Sequence, residues 1–219
     1  MSEVEISVRG EHEERVPAEE ATAQITVRAD GPDRGAVVEQ LAAAAGPVRD
    51  DLRARQDAGA LVSWTSSRAN VWTERPWSPD GARLDPVHHA SVELAATYTD
   101  PAALSAWLDE VALRDGVQVD AVVWRLTEAT ESTARARVAA IAVQRAVERA
   151  TAYATAIGRE SVVPIAIADT GLLSPDTPPS APRMMRAMAT SADAGGPAIE
   201  LRPEDIVVTA SVDARFLAR

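Results

Sequence analysis

The chain has 219 residues, of which 46% are hydrophobic and only 4% aromatic, a composition typical of a globular protein with an aliphatic core. Its formal net charge of −11 argues against a nucleic-acid partner, because a phosphate backbone needs a cationic surface. The absence of cysteine excludes disulfides, thiolate metal sites and cysteine catalysis.

No apolar run is long enough to cross a bilayer, so we expect no membrane partner. The first residues are acidic and alternate in polarity, without the basic start and apolar stretch of a secretory signal. We therefore expect a cytoplasmic protein.

The first half of the chain alternates strand and helix patterns. Residues 3–9 predict a strand, residues 10–17 a charged turn, and residues 21–28 a second strand that forms a hairpin with the first. Gly46 and Pro47 predict a kink in the following helix or its division into two pieces. The further elements are a helix from Asp33 to about Ala58, strands at 61–77 and 88–99, a helix at 100–116 and a strand at 117–126.

The order from residue 21 to residue 126 is strand–helix–strand–strand–helix–strand, which is the split βαβ pattern of ferredoxin-like domains. We predict an α+β protein of two sheet–helix lobes, with the ferredoxin-like lobe at residues 18–127. Residues 1–17 and 128–219 form the second lobe, with antiparallel strands and a mobile loop at 170–203.

A long alanine-rich helix at residues 128–158 is the basis of the second lobe. Thr127 or Ser132 caps its start, and Gly158 lies where a helix commonly ends. Small side chains on one face let another backbone approach closely. The predicted inner stripe is Ala139, Val143, Ala146, Ala150, Tyr153 and Ile157.

Three tryptophans lie close together in the region of the third strand. Trp72 and Trp77, with Arg75 between them, form a candidate interaction surface, since aromatic and arginine side chains are enriched at binding hot spots. The alternative is structural: Trp64 and Trp72 fill the core and Trp77 covers a turn. In either case we expect Trp77 to be exposed.

A methionine-rich patch in the 170–203 loop is a second candidate interaction surface, because methionine adapts to varied partners. It contains Met184, Met185 and Met188. The alternative is that this patch is disordered.

No combination of residues predicts catalysis or a cofactor. Adjacent strand positions place His88 and His89 on opposite faces, so they do not predict a shared metal site. Acidic pairs such as Asp50-Asp51 and Asp109-Glu110 are typical of solvated surface. We expect no catalytic residue, no metal and no cofactor.

Several segments together resemble the SIMPL domain family. They are the opening strand 6–11 with Val16-Pro17-Ala18, the alanine-rich helix ending at Gly158 with the strand 162–165, and the closing strand 203–208 with Val212 and Phe216. Ala18 stands where aspartate is common in the family, and Glu11-His12 replaces a glycine-rich step. The resemblance implies a non-enzymatic, oligomerising protein, tied in some members to envelope or stress biology.

We therefore expect a homo-oligomer, with binding to a further protein partner, through exposed strand edges of the 61–99 hairpin and the loop after Thr170. The alternative is a small-molecule-binding protein or an enzyme with a pocket between the lobes, walled by Trp64, Trp72 and His88.

Overall fold

The structure is a computed structural model that describes residues 3–173 and 201–219. Those residues form seven strands and three helices in two antiparallel sheets, which confirms the predicted α+β class with two sheet–helix lobes. The elements are β1 (Val4–Val16), β2 (Glu20–Gly31), α1 (Arg34–Asp57), β3 (Ser63–Glu74), β4 (Val87–Tyr98), α2 (Pro101–Ala112), β5 (Val117–Arg125), α3 (Glu128–Ala156), β6 (Val162–Asp169) and β7 (Ile206–Ala218).

The chain divides into two compact units. The described part of unit 1 comprises residues 3–17, 126–173 and 205–219, and that of unit 2 comprises residues 18–125 and 201–204.

Unit 2 has the ferredoxin-like arrangement. Its sheet has the order β3-β4-β2-β5, and α1 and α2 pack on one face. Asp33 caps α1 by accepting the Ala36 N–H at 2.8 Å, and Asp100 caps α2 with Pro101 at the first helical position. The predicted division of the first helix is wrong, because α1 continues through Pro47.

Unit 1 is a three-stranded sheet of order β1-β7-β6 with α3 on one face. The predicted turn at residues 10–17 is wrong, because β1 continues to Val16 and pairs with β7 along its whole length. The predicted hairpin is also wrong, since β2 pairs with β4 and β5. The charges that suggested a turn lie on a strand, and Glu14 forms an ion pair with Arg137 of α3 at 2.6 Å.

The contact between α3 and β1 depends on small residues. A Cβ placed on Gly10 would overlap the Ala142 carbonyl oxygen and lie 2.6 Å from the backbone nitrogen of Ala146. The helix therefore lies on the strand at backbone distance, as its alanine content predicts. It begins after the Thr127 cap and ends before Gly158, whose φ of +75° favours glycine.

The predicted inner stripe of this helix is only partly correct. Ala146 and Ala150 are buried, but Tyr153 and Ile157 are 47% and 53% exposed. The buried positions recur every four residues and follow a row inclined to the helix axis. They are Ala134, Val138, Ala142, Ala146, Ala150 and Ala154.

Candidate functional site

The candidate site lies on the β3–β4 hairpin of unit 2. Its connection is closed by a bridge between Trp77 and Arg83 and by a hydrogen bond from the Leu84 N–H to the Pro76 carbonyl at 2.9 Å. β3 is the outermost strand of the sheet, so one side of its backbone has no ladder partner within the described chain. We call Trp72, Arg75 and Trp77 the hairpin surface.

A bulge in β3 decides which tryptophan faces the core. Ser66 pairs with Leu94 and Ala69 pairs with Val92, so β3 has one extra residue between these pairs. An extra residue exchanges the faces of all positions beyond it. Trp64 therefore packs half-buried against the core, whereas Trp72 lies on the other face.

The two predicted tryptophans of the hairpin surface are both exposed, Trp72 by 45% and Trp77 by 63%. Trp72 stacks on His89, its cross-strand partner, with ring centroids 5.1 Å apart. The Arg83 guanidinium lies over the Trp77 ring at 5.0 Å from its centroid. Arg75 is also exposed. The alternative interpretation is thus correct for Trp64 in the core and wrong for Trp72.

An open concavity of about 520 Å³ adjoins Trp72 on the face of the sheet opposite the helices. Two of its lining residues, Arg28 and Glu93, carry opposite charges. Trp64 and Trp72 lie on opposite faces, so these two side chains do not wall one pocket. The lining residues are Thr26, Arg28, Asn70, Trp72, Ser91 and Glu93.

The histidines of β4 both contact side chains of β3. His88 Nδ1 lies 2.8 Å from the Thr73 hydroxyl, and His89 Nε2 lies 3.9 Å from a Glu74 carboxylate oxygen. Across residues 3–173 and 201–219, no three histidine or acidic side chains are grouped to hold a metal ion.

A partly exposed polar cluster between α1 and α2 was not predicted from the sequence. We predicted Asp51 to lie on the solvated surface. Its carboxylate instead accepts hydrogen bonds from the Trp107 indole N–H at 3.0 Å and from Arg55. Arg55 also donates to the Glu110 carboxylate at 2.5 Å. Burial raises the pKa of neighbouring Tyr98 to about 12, which keeps its hydroxyl neutral. The one sequence feature that indicates this cluster is the four-residue spacing of Asp51 and Arg55, which places oppositely charged side chains side by side on a helix. The cluster joins two helices and presents no reactive group.

The methionine patch of Met184, Met185 and Met188 lies outside the described residues. Its predicted role stays a prediction.

The comparison with protein families decides the classification. The family model described as SIMPL, protein of unknown function (DUF541), matches residues 6–216. The chain belongs to the SIMPL family. No curated protein matches this SIMPL chain. None of its described helices is long and apolar enough to cross a membrane.

The motifs that carried the family resemblance converge in unit 1 of this SIMPL protein. The opening motif is β1 and the closing motif is β7, and the two strands pair from Val4 opposite Ala218 to Val16 opposite Ile206. The alanine-rich helix covers both strands. These motifs therefore specify a packing arrangement.

Proposed function

We propose that this SIMPL protein is non-enzymatic and acts by self-assembly, with the hairpin surface as a site of protein binding and a second copy of the chain as its partner. The observation that carries the proposal is the exposure of Trp72 and Trp77 at 45% and 63% beside the unpaired side of β3. Tryptophan is enriched at binding hot spots, and a free strand edge offers backbone donors and acceptors to another chain.

Charged side chains of both signs surround the tryptophans. Arg75 and Arg83 lie in the same segment as Glu74, Asp80 and Asp85. A second copy presents the same mixture, so opposite charges can meet across an interface between two copies, which supports a protein partner.

The test is the solution mass of the double variant Trp72→Ala/Trp77→Ala, compared with the unchanged chain by sedimentation velocity. We expect the unchanged chain to associate at micromolar concentration and the double variant to associate at least about tenfold more weakly. The control is Leu113→Ala, which removes a side chain that is 87% exposed outside the hairpin. An equal mass distribution for all three proteins would refute the role of the hairpin surface.

The concavity beside Trp72 supports a second candidate, a small-molecule-binding protein. Arg28 and Glu93 converge there beside an exposed aromatic ring, which suits a ligand that is both polar and planar. A thermal-shift screen against small metabolites tests this function. A stabilising ligand whose effect is lost in Arg28→Ala would favour it over assembly.

A further inference from the structure

The centre of the concavity beside Trp72 is one row of paired residues across three strands. Ser91 of β4 pairs with Arg28 of β2 on one side and with Asn70 of β3 on the other. Directly paired residues project from the same face of a sheet, so the short Ser91 side chain lies between two longer ones. The two outer strands of this row lie about 10 Å apart. The row therefore forms a dish with a low floor and two polar walls.

The neighbouring rows bound the two ends of the dish. At one end Glu93 of β4 pairs with Thr26 of β2, and at the other end Trp72 of β3 pairs with His89 of β4. The stack of Trp72 on His89 holds the indole in place without a ligand, which lowers the entropic cost of binding. The volume of about 520 Å³ thus has a defined polar floor and one aromatic boundary.

The polar side chains of the dish are available to a ligand. Ser91 is only 6% exposed, yet it lines the concavity. Within residues 3–173 and 201–219, the side chains of Arg28, Asn70 and Ser91 form no hydrogen bond or ion pair. Glu93 has one ion pair, with Arg68 at 3.9 Å, and keeps further acceptor sites. These groups can therefore exchange water for the polar groups of a ligand.

We propose that the concavity binds a neutral, polyhydroxylated ligand of the size of one sugar ring. This inference rests on the second function proposed above, small-molecule binding, and names the class of ligand.

The charges of the lining favour a neutral ligand. Arg28 and Glu93 are the two charged residues of the lining, and their formal charges cancel. The Thr26 hydroxyl also donates to the Asp120 carboxylate at 2.6 Å, which places a second acid beside the concavity. A phosphate group would meet one guanidinium and two carboxylates, so the site disfavours phosphorylated ligands.

Hydroxyl groups suit the lining because each hydroxyl both donates and accepts hydrogen bonds. Arg28 offers donors, Glu93 offers acceptors, and the Asn70 amide offers both. Adjacent hydroxyls of one sugar ring can satisfy all three side chains. An apolar ligand would instead remove water from these groups without replacing their hydrogen bonds, which costs free energy.

Trp72 supplies the apolar contact that a sugar ring needs. Its side chain is 45% exposed and borders the concavity. The C–H groups of a sugar ring form a small apolar surface, and an indole is a large apolar partner for it. A ligand with hydroxyls at its rim and C–H groups on its face uses both kinds of contact.

An NMR titration of the isotope-labelled chain with neutral methyl glycosides tests the ligand class. The probes are the methyl glycosides of glucose, mannose, galactose and N-acetylglucosamine, each up to about 20 mM, because an open site binds in the millimolar range. We expect at least one probe to shift the indole N–H signal of Trp72, assigned with Trp72→Phe, along a saturable curve. The signal of Trp107, which is buried in α2, is the internal control and should not move.

A charged probe tests the neutrality of the ligand. We expect glucose-6-phosphate to bind at least about threefold more weakly than methyl glucoside, because its phosphate meets the two carboxylates. Tighter binding of the phosphate would overturn the assignment of a neutral ligand.

Variants test the position of the site. Arg28→Ala and Asn70→Ala each remove hydrogen-bonding groups, so we expect each to raise the dissociation constant about three- to tenfold. Ser91→Val fills the floor with a residue that strands favour, and should abolish the Trp72 shift while the Trp107 signal stays unchanged. The matched control is Gln24→Ala, which removes an exposed amide of β2 outside the concavity and should leave the constant within about twofold.

The outcomes separate this inference from the function on which it rests. No saturable shift with any glycoside, together with a metabolite whose stabilising effect is lost in Arg28→Ala, would overturn the ligand class and leave small-molecule binding intact. A glycoside shift that Arg28→Ala and Asn70→Ala weaken no more than Gln24→Ala does would overturn the position of the site. Neither a glycoside shift nor a stabilising metabolite would overturn both.

Discussion

Gly10 lies in β1 beneath α3, where any side chain would overlap the helix backbone at Ala142 and Ala146. We predict that Gly10→Ala lowers the free energy of unfolding by about 3 kcal/mol, because either the helix or the strand must move. Urea unfolding measures this loss.

The control for Gly10 is Gly46→Ala in α1, where an added Cβ meets no atom within 4 Å apart from the adjoining residues. Alanine favours the helix over glycine, but the following Pro47 opposes a Cβ at this position, so we expect a change in stability of less than about 1 kcal/mol. Equal effects of the two substitutions would show that the close approach of α3 to β1 is not required for stability.

Asp213 makes the stability of unit 1 depend on pH. Its hydrogen bond from Arg9 and a second one from the Gly171 N–H lower the pKa of Asp213 below the ordinary value of 3.8. A lowered pKa in the folded state contributes stability that is present above 3.8 and is lost as pH falls through the folded pKa.

We therefore predict that Asp213→Asn lowers stability at pH 7 and loses less stability than the unchanged chain as pH falls below 3.8. Urea unfolding at a series of pH values measures both effects. Asp50→Asn, which removes a 75% exposed carboxylate paired with Arg53, is the control and should have a smaller effect. Parallel pH profiles of Asp213→Asn and the unchanged chain would contradict the assignment.

At the scale of elements, the bulge in β3 separates two tryptophans that the sequence alone places on one face. We predict that Trp64→Ala lowers the free energy of unfolding by about 3 kcal/mol, because it removes a ring packed against the core. Trp72→Ala should cost only about 1 kcal/mol, the value of its stack on His89. Chemical unfolding of both variants measures the two free energies, and an equal loss of stability in the two variants would indicate that both rings lie in the core.

The sequence predicts elements well wherever a local rule determines them. Asp33 and Asp100 cap helices because their carboxylates satisfy free N–H groups, and Gly158 ends α3 because its φ is positive. The partner of β1 is set by residues about 200 positions away in β7, which no local pattern reveals.

The candidate site was predictable in part for the same reason. Exposure of Trp77 follows from the prolines around it, whereas the exposure of Trp72 depends on a bulge whose register is set by β4. The predicted buried face of α3 differs from the observed one because an alanine-rich helix has several equivalent faces, and packing on the sheet determines which one is buried. The predicted face includes Tyr153, a large side chain that is in fact exposed.

At the scale of the whole molecule, the net charge of −11 opposes the approach of two copies, so association requires local complementarity. Charged side chains of both signs on the β3–β4 hairpin supply it. Because exposed ion pairs are screened by salt, we predict that dimers weaken severalfold when salt rises from about 0.05 M to 0.5 M, although screening also reduces the overall repulsion. Sedimentation velocity at the two salt concentrations measures the change, and association that strengthens with salt would indicate an apolar interface.

The central claim is that this SIMPL protein works by self-assembly, and its solution mass tests that claim most directly. Light scattering coupled to gel filtration, across a concentration series at low salt, gives the mass without a label. The account predicts a mass that rises with concentration from the 23.2 kDa of one chain to at least twice that value. A mass that stays at 23.2 kDa up to about 100 μM would contradict it, because an assembly that weak has no role at cellular concentrations.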